Sequence, residues 1–182
     1  MVAIRRLTTD ELPAFLAFMD GPAFEAMPQW SGCYCQHYLE LPGAAQTSNA
    51  VRNRKSACDR VAAGTMNGYL AYAGAEVIGW MAANAGNNFK SLPPTDAGTA
   101  RILCINVQQA HQGRGVATAL LEFALADLTA QGFTAVEAAP LASGEFATWG
   151  YRGPLSMYLK AGFEVGPLID EKHVLVLRKL QA

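Results

Sequence analysis

Gln112-Gly113-Arg114-Gly115-Val116-Ala117 is the stretch of this chain best suited to chemistry. It lies between an apolar run, Ile102 to Val107, and apolar residues at helical spacing that begin at Val116. A turn there presents the first amides of a helix, which have no partner within the helix. They converge at the positive end of the helix dipole and form a site for an anion such as phosphate. Gly113 and Gly115 let the backbone approach that anion with no Cβ between. Gln112 and Arg114 can add side-chain donors.

An ordinary helix start with incidental glycines is the plain alternative. A dinucleotide site is the other, because Gly113 to Thr118 approaches G-x-G-x-x-G, with Glu137 at a fitting distance downstream. That pattern breaks at Thr118, which stands in place of the third glycine. The stretch from Val107 to Gly113 is also too long for the tight strand-to-helix turn of a dinucleotide fold.

The other chemically capable cluster is Cys33-Tyr34-Cys35 with His37. A structural zinc site takes four ligands, usually with a longer Cys–Cys spacing. No metal is therefore expected, and the thiols read as part of a loop or pocket wall. Cys104, inside an apolar run, reads as a buried thiol. Asn106 is a polar residue in that same run, and bonding to local backbone is at least as good a reading as a direct role.

These residues need elements to hold them. Val2 to Leu7 reads as a strand, and Thr8-Thr9-Asp10-Glu11 as the start of a helix reaching Met19. Residues 21–45 are irregular, with prolines, glycines, Trp30 and the paired cysteines. Thr47 or Ser48 caps a helix to about Ala63, with Ala50, Ala57, Val61 and Ala62 inward. Tyr69 to Tyr72 and Val77 to Met81 form a hairpin around Gly74-Ala75, and Asn84 to Gly98 reads as a loop. Ile102 to Val107 suits a central strand covered on both faces. The helix after it carries Val116, Ala117, Leu120, Leu121, Ala124, Leu125 and Leu128 on one face and stops at Gly132. A strand from Thr134 to Ala138, a short helix from Pro154 to Lys160, and strands after Phe163 and at Val174 to Leu177 complete the order. The order β-α-α-β-β-β-α-β-α-β-β implies an α/β (α+β) domain. Its central sheet is mixed and mostly antiparallel, of about seven strands, with helices on both faces. Residues 1–182 are expected to form one domain.

Val107 to Ala117 resembles the signature of the GNAT acyl-CoA N-acyltransferase superfamily, R/Q-x-x-G-x-G/A, with Gln112, Gly115 and Ala117 at its defined positions. Met157 to Phe163 is similar to that family's L-Y-x-x-x-G-F element. The likeness is close over Thr99 to Phe163 and looser from Asn67 to Ala82. Where many members carry an asparagine seven residues before the helix tyrosine, this chain has Tyr151.

The resemblance implies acetyl transfer from acetyl-CoA to a primary amine of a small molecule or peptide, by direct attack through a tetrahedral intermediate. It implies that Ile105, Asn106, Val107, Gln112, Gly113, Arg114, Gly115, Val116, Ala117 and Thr118 bind the cofactor, and that Tyr158 is the general acid. A core tyrosine whose ring packs beside Phe163 is the plain alternative for Tyr158. No metal is implied. Glu137 and Glu76 are candidate bases by strand position, and His37 by its titration range. Trp30, Tyr34, His37, Trp149 and Tyr151 are placed to wall an acceptor site. A catalytically idle acyl-CoA-binding sensor and a nucleotide-binding regulator remain as alternatives.

Bulk properties fit this reading. Hydrophobic residues make up 51% and charged residues 16%, enough for a packed core. A formal net charge of −1 supplies no basic field for nucleic acid or an anionic membrane. No apolar run nears the roughly 20 residues of a membrane span, and Met1 to Arg6 lacks the apolar region of a signal peptide. A cytoplasmic protein is expected. A homodimer is compatible with all of this.

Overall fold

The computed structural model describes residues 2–41, 49–142 and 150–181. The strands are β1 (Val2–Arg6), β2 (Gly68–Ala73), β3 (Glu76–Ala85), β4 (Thr99–Val107), β5 (Ala135–Ala138), β6 (Glu164–Leu168) and β7 (Val174–Lys179). The helices are α1 (Leu12–Met19), α2 (Ala50–Ala62), α3 (Val116–Ala130) and α4 (Leu155–Lys160). The sequence-based order of elements is reproduced. The strands form one seven-stranded sheet in the order β1-β2-β3-β4-β5-β7-β6. Every neighbouring pair is antiparallel except β4 and β5. One face carries α3 and α4, with Leu120, Leu121, Ala124, Leu128, Met157 and Tyr158 in its core. The other carries α1 and α2 through Phe15, Leu16, Ala57 and Val61, with Trp80 beneath them.

Local departures from the sequence reading have identifiable causes. Asn49 caps α2, its side chain accepting from Arg52 N at 3.0 Å. Thr47 and Ser48, the expected caps, lie outside the described residues, as do residues 42–45 of the irregular segment. On α2 the inner side includes Asn53, whose Nδ2 donates to Gly32 O at 2.8 Å, while Ala50 and Ala62 are exposed. The polar start of α1 is not used as a cap. Instead Glu11 binds Arg5 and Tyr72. Asn84 belongs to β3 rather than to a loop, because its side chain is satisfied there by Thr65 O, Asn67 and Asn88.

Two features of β4 shape the site. Between Met81↔Ile105 and Ala83↔Ile102 the register shifts, so Leu103 and Cys104 together oppose Ala82. This bulge turns both side chains to the same face. Cys104 is consequently half-buried rather than sealed in the core. Second, β4 pairs with β5 only over Thr99–Arg101. Beyond Arg101 the two strands part, and the turn Gly150–Arg152 packs against β4. A Cβ added to the next residue, Gly153, would lie 3.1 Å from Ile105 Cδ1.

Among the described residues, no helix is long and apolar enough to cross a membrane.

Candidate active site

The glycine turn ends in the geometry its sequence requires. Gly113 and Gly115 have φ of +71° and +81°, a region that L side chains rarely adopt, and Gly115 is the residue before α3. A Cβ built on either would meet nothing within 4 Å, so the turn faces open space. Ala119 N is bonded to Gly115 O at 2.9 Å. The amides of Val116, Ala117 and Thr118 precede it and have no carbonyl one turn back. The first turn of α3 holds no acidic residue that would repel an anion.

A groove of about 750 Å3 opens from this turn. It is lined by Ile105, Asn106, Val107, Gln112, Gly113, Gly115, Val116, Ala117 and Thr118, nine of the residues named from sequence. Val116 is buried, so it offers its backbone there and its side chain to the core. Gln112 Nε2 donates to Val107 O at 3.0 Å, tying the turn to the end of β4. Arg114 is exposed and does not line the groove. Met27, Tyr151, Gly153 and Met157 line it as well, none of them among the residues named from sequence for the cofactor.

A second, smaller cavity of about 220 Å3 lies on the other side of β4. Its wall includes Phe24, Met27, Trp30, Cys33, Cys35, His37, Tyr38, Trp80 and Cys104. Met27, Ile105, Asn106 and Tyr151 line both spaces, so the groove and the cavity share one wall. Asn106 Nδ2 donates to Ala23 O at 2.6 Å, a bond to backbone 83 positions away rather than to its own strand. That bond holds the Pro22–Phe24 turn against the end of β4.

A family model described as acetyltransferase (GNAT) family matches residues 27–163, about three-quarters of the chain. The chain belongs to the GNAT acetyltransferase family. Solved structures agree on the fold. An N-acetyltransferase from Staphylococcus aureus Mu50 superposes with a TM-score of 0.64 at 16% identity, covering 100% of this chain and 99% of that one. A ribosomal-protein-alanine N-acetyltransferase from Brucella melitensis gives 0.62 at 15%, covering 98% and 99%. An N-acetyltransferase from Thermoplasma acidophilum in complex with coenzyme A gives 0.61 at 14%, again covering 98% and 99%. No curated protein sequence matches the chain. Family membership makes the chain an acetyltransferase and disposes of the nucleotide-binding alternative.

In this acetyltransferase Tyr158 is fully buried, and its hydroxyl donates to Arg152 O at 2.9 Å. Its ring stands at 80° to that of Phe163, with centroids 5.2 Å apart. Burial raises its pKa well above the ordinary tyrosine value. It lines neither the groove nor the cavity. Of the three candidate bases, Glu137 is paired with Arg101 near the start of β4, and Glu76 accepts from Gln108 at the strand's other end. Only His37 faces the cavity. Of the expected acceptor aromatics, Trp30 and Tyr151 reach it. Tyr34 does not. It is buried, with its hydroxyl on Asp20 at 2.5 Å. Trp149 lies outside the described residues.

Cys33, Cys35 and Cys104 form one thiol wall of the cavity. Burial, with Cys35 beside it, pushes the Cys33 thiol up to about 11. Cys104 and burial hold Cys35 above its ordinary range, and Trp80 Nε1 donates to Cys35 Sγ at 3.1 Å. Cys33 and Cys35 therefore keep their protons at pH 7 in the metal-free protein. Among the described residues no group of three or more His, Cys, Asp or Glu side chains is placed to hold a metal. Purified protein is therefore expected to carry no stoichiometric zinc by atomic emission, and EDTA to leave its Tm unchanged. One zinc per chain, with unfolding on chelation, would contradict this.

Proposed function

We propose that the chain transfers the acetyl group of acetyl-CoA to a primary amine of a small molecule or peptide, by direct attack of the amine on the thioester. The observation that carries the reading is the shared wall. An anion-binding helix start opens into a groove, and the groove meets an aromatic cavity at Ile105, Asn106 and Tyr151. The glycine turn fits a pyrophosphate because it offers free amides, open space and no acidic neighbour. The parting of β4 from β5 leaves the Ile105 to Val107 edge without a β5 partner, and that edge suits the amides of a pantetheine arm.

The residues then have separable tasks. The α3 amides and Gln112 hold the phosphates. The β4 edge lays the thioester beside the cavity and so supplies effective concentration. The cavity receives the amine. Alkyl amines have pKa values near 10 and arrive protonated at pH 7, so a proton must leave before attack. His37 is the titratable side chain on that wall best suited to take it. The carbon–nitrogen bond forms and the carbon–sulfur bond breaks. Tyr158, its hydroxyl released from Arg152 O, gives its proton to the departing thiolate, and the second proton lost by the nitrogen returns to the phenolate through solvent.

Thermal unfolding with acetyl-CoA, NAD and ATP in parallel tests the binding half. Acetyl-CoA at 100 times its Kd adds about 2.7 kcal/mol, or roughly 5–10 °C in Tm for a chain of this size. A shift with ATP or NAD and none with acetyl-CoA would sink the reading.

A further inference from the structure

Tyr38, Tyr151 and Arg152 form a connected group at the wall shared by the groove and the cavity. Arg152 Nη2 donates to the Tyr38 hydroxyl at 3.1 Å, and the Tyr38 and Tyr151 oxygens lie 2.8 Å apart. The guanidinium carbon stands 5.6 Å from the centroid of each ring. Trp30 also packs on Tyr151, with centroids 5.8 Å apart. Among the described residues no carboxylate pairs with Arg152, and its Nε has no hydrogen-bond partner. The positive charge is thus half-buried and held against two phenols.

Arginine has donors only, so the Tyr38 oxygen accepts from Arg152. Between the two phenols either oxygen can donate. A carbonyl oxygen at the junction selects the arrangement in which Tyr38 donates to the Tyr151 oxygen, and the hydrogen of Tyr151 is then left over. Tyr151 lines both the groove and the cavity, so its remaining donor has that junction to point into. A hydrogen-bond chain headed by a fixed cation is polarised toward donation at its far end. A preorganised donor of this kind suits the place where negative charge develops during acyl transfer. Tyr158 differs, because its hydrogen is already given to Arg152 O.

We propose that Tyr151 is a catalytic residue whose hydroxyl donates to the thioester carbonyl oxygen and holds the oxyanion while the amine attacks. Tyr38 and Arg152 are positioning residues that set the direction of that donation. The phenol keeps its proton throughout. This rests on acetyl-CoA occupying the groove.

Calorimetry of acetyl-CoA and of free CoA tests it without a known acceptor. The wild type should prefer acetyl-CoA by about 3- to 10-fold, the worth of one neutral hydrogen bond. Tyr151→Phe should bind CoA as the wild type does and lose the preference. Tyr38→Phe should keep only part of it. A merely structural Tyr151 would weaken both ligands alike. An undiminished preference in Tyr151→Phe overturns the proposal, as does a wild type with no preference. If Tyr151→Phe does not fold, an unchanged preference in Tyr38→Phe overturns it instead. A wild type that binds neither ligand removes the groove reading itself, and the proposal with it.

Discussion

Gly115→Glu is expected to weaken acetyl-CoA binding by about 100-fold or more while the protein stays folded. The residue stands at the mouth of the helix start, where a side chain would enter open space rather than the core. In the proposed complex that space holds the pyrophosphate. A like charge about 4 Å away costs about 4 kcal/mol at an effective dielectric of 20, and somewhat less where solvent and salt screen it. The φ of +81° adds backbone strain of about 1–3 kcal/mol for any side chain. Gly115→Gln carries the same strain and bulk without the charge, so comparing the two isolates the electrostatic part. Calorimetry on both, with Tm recorded, is the measurement. Equal wild-type affinity in a folded Gly115→Glu protein would place the cofactor elsewhere.

Tyr158→Phe is expected to lower kcat by roughly 100-fold, at the low end for general acid catalysis, with acetyl-CoA affinity nearly unchanged. Burial raises the pKa of the phenol, so it holds its proton at every working pH but is a weaker acid than a free tyrosine. The leaving thiolate, whose thiol has a pKa near 8.5, is a fair leaving group, so protonation helps without being indispensable. The hydroxyl must first turn away from Arg152 O, which is a neutral hydrogen bond worth about 1 kcal/mol. Tyr158→Phe also removes that bond, so a small fall in Tm should accompany the loss of rate. A variant with full kcat and only the lower Tm would identify Tyr158 as a core residue that positions the Arg152 backbone.

The glycine turn was legible because its chemistry is local. Gly113, Gly115 and the apolar stripe from Val116 to Leu128 state a turn and a helix within one short window. The order of elements was legible for the same reason. The insertion of β7 between β5 and β6 was not, since it depends on pairings such as Val136↔Arg178 that no short window contains. Asn84 misled because asparagine favours turns, and here tertiary hydrogen bonds override that preference. Tyr34 and Tyr38 show the same limit. Both are loop tyrosines flanking His37, yet Tyr34 turns to Asp20 and Tyr38 to Tyr151, 113 positions away. Tyr34 and Cys35 both adopt positive φ, at 45° and 55°, which non-glycine residues seldom do. That backbone turns Cys35 toward Trp80 and Tyr34 away from the cavity, and no sequence pattern announces it.

The most direct test of the account is turnover. The purified chain is mixed with acetyl-CoA and a panel of primary amines, from aryl-alkyl amines to peptides with free N-termini, and free thiol is followed by colour. The account predicts thiol release that depends on both the chain and one class of amine, with an equal amount of N-acetylated amine found by mass spectrometry. Thiol release without acetylated amine, or acetyl-CoA bound and returned intact across the whole panel, would contradict it.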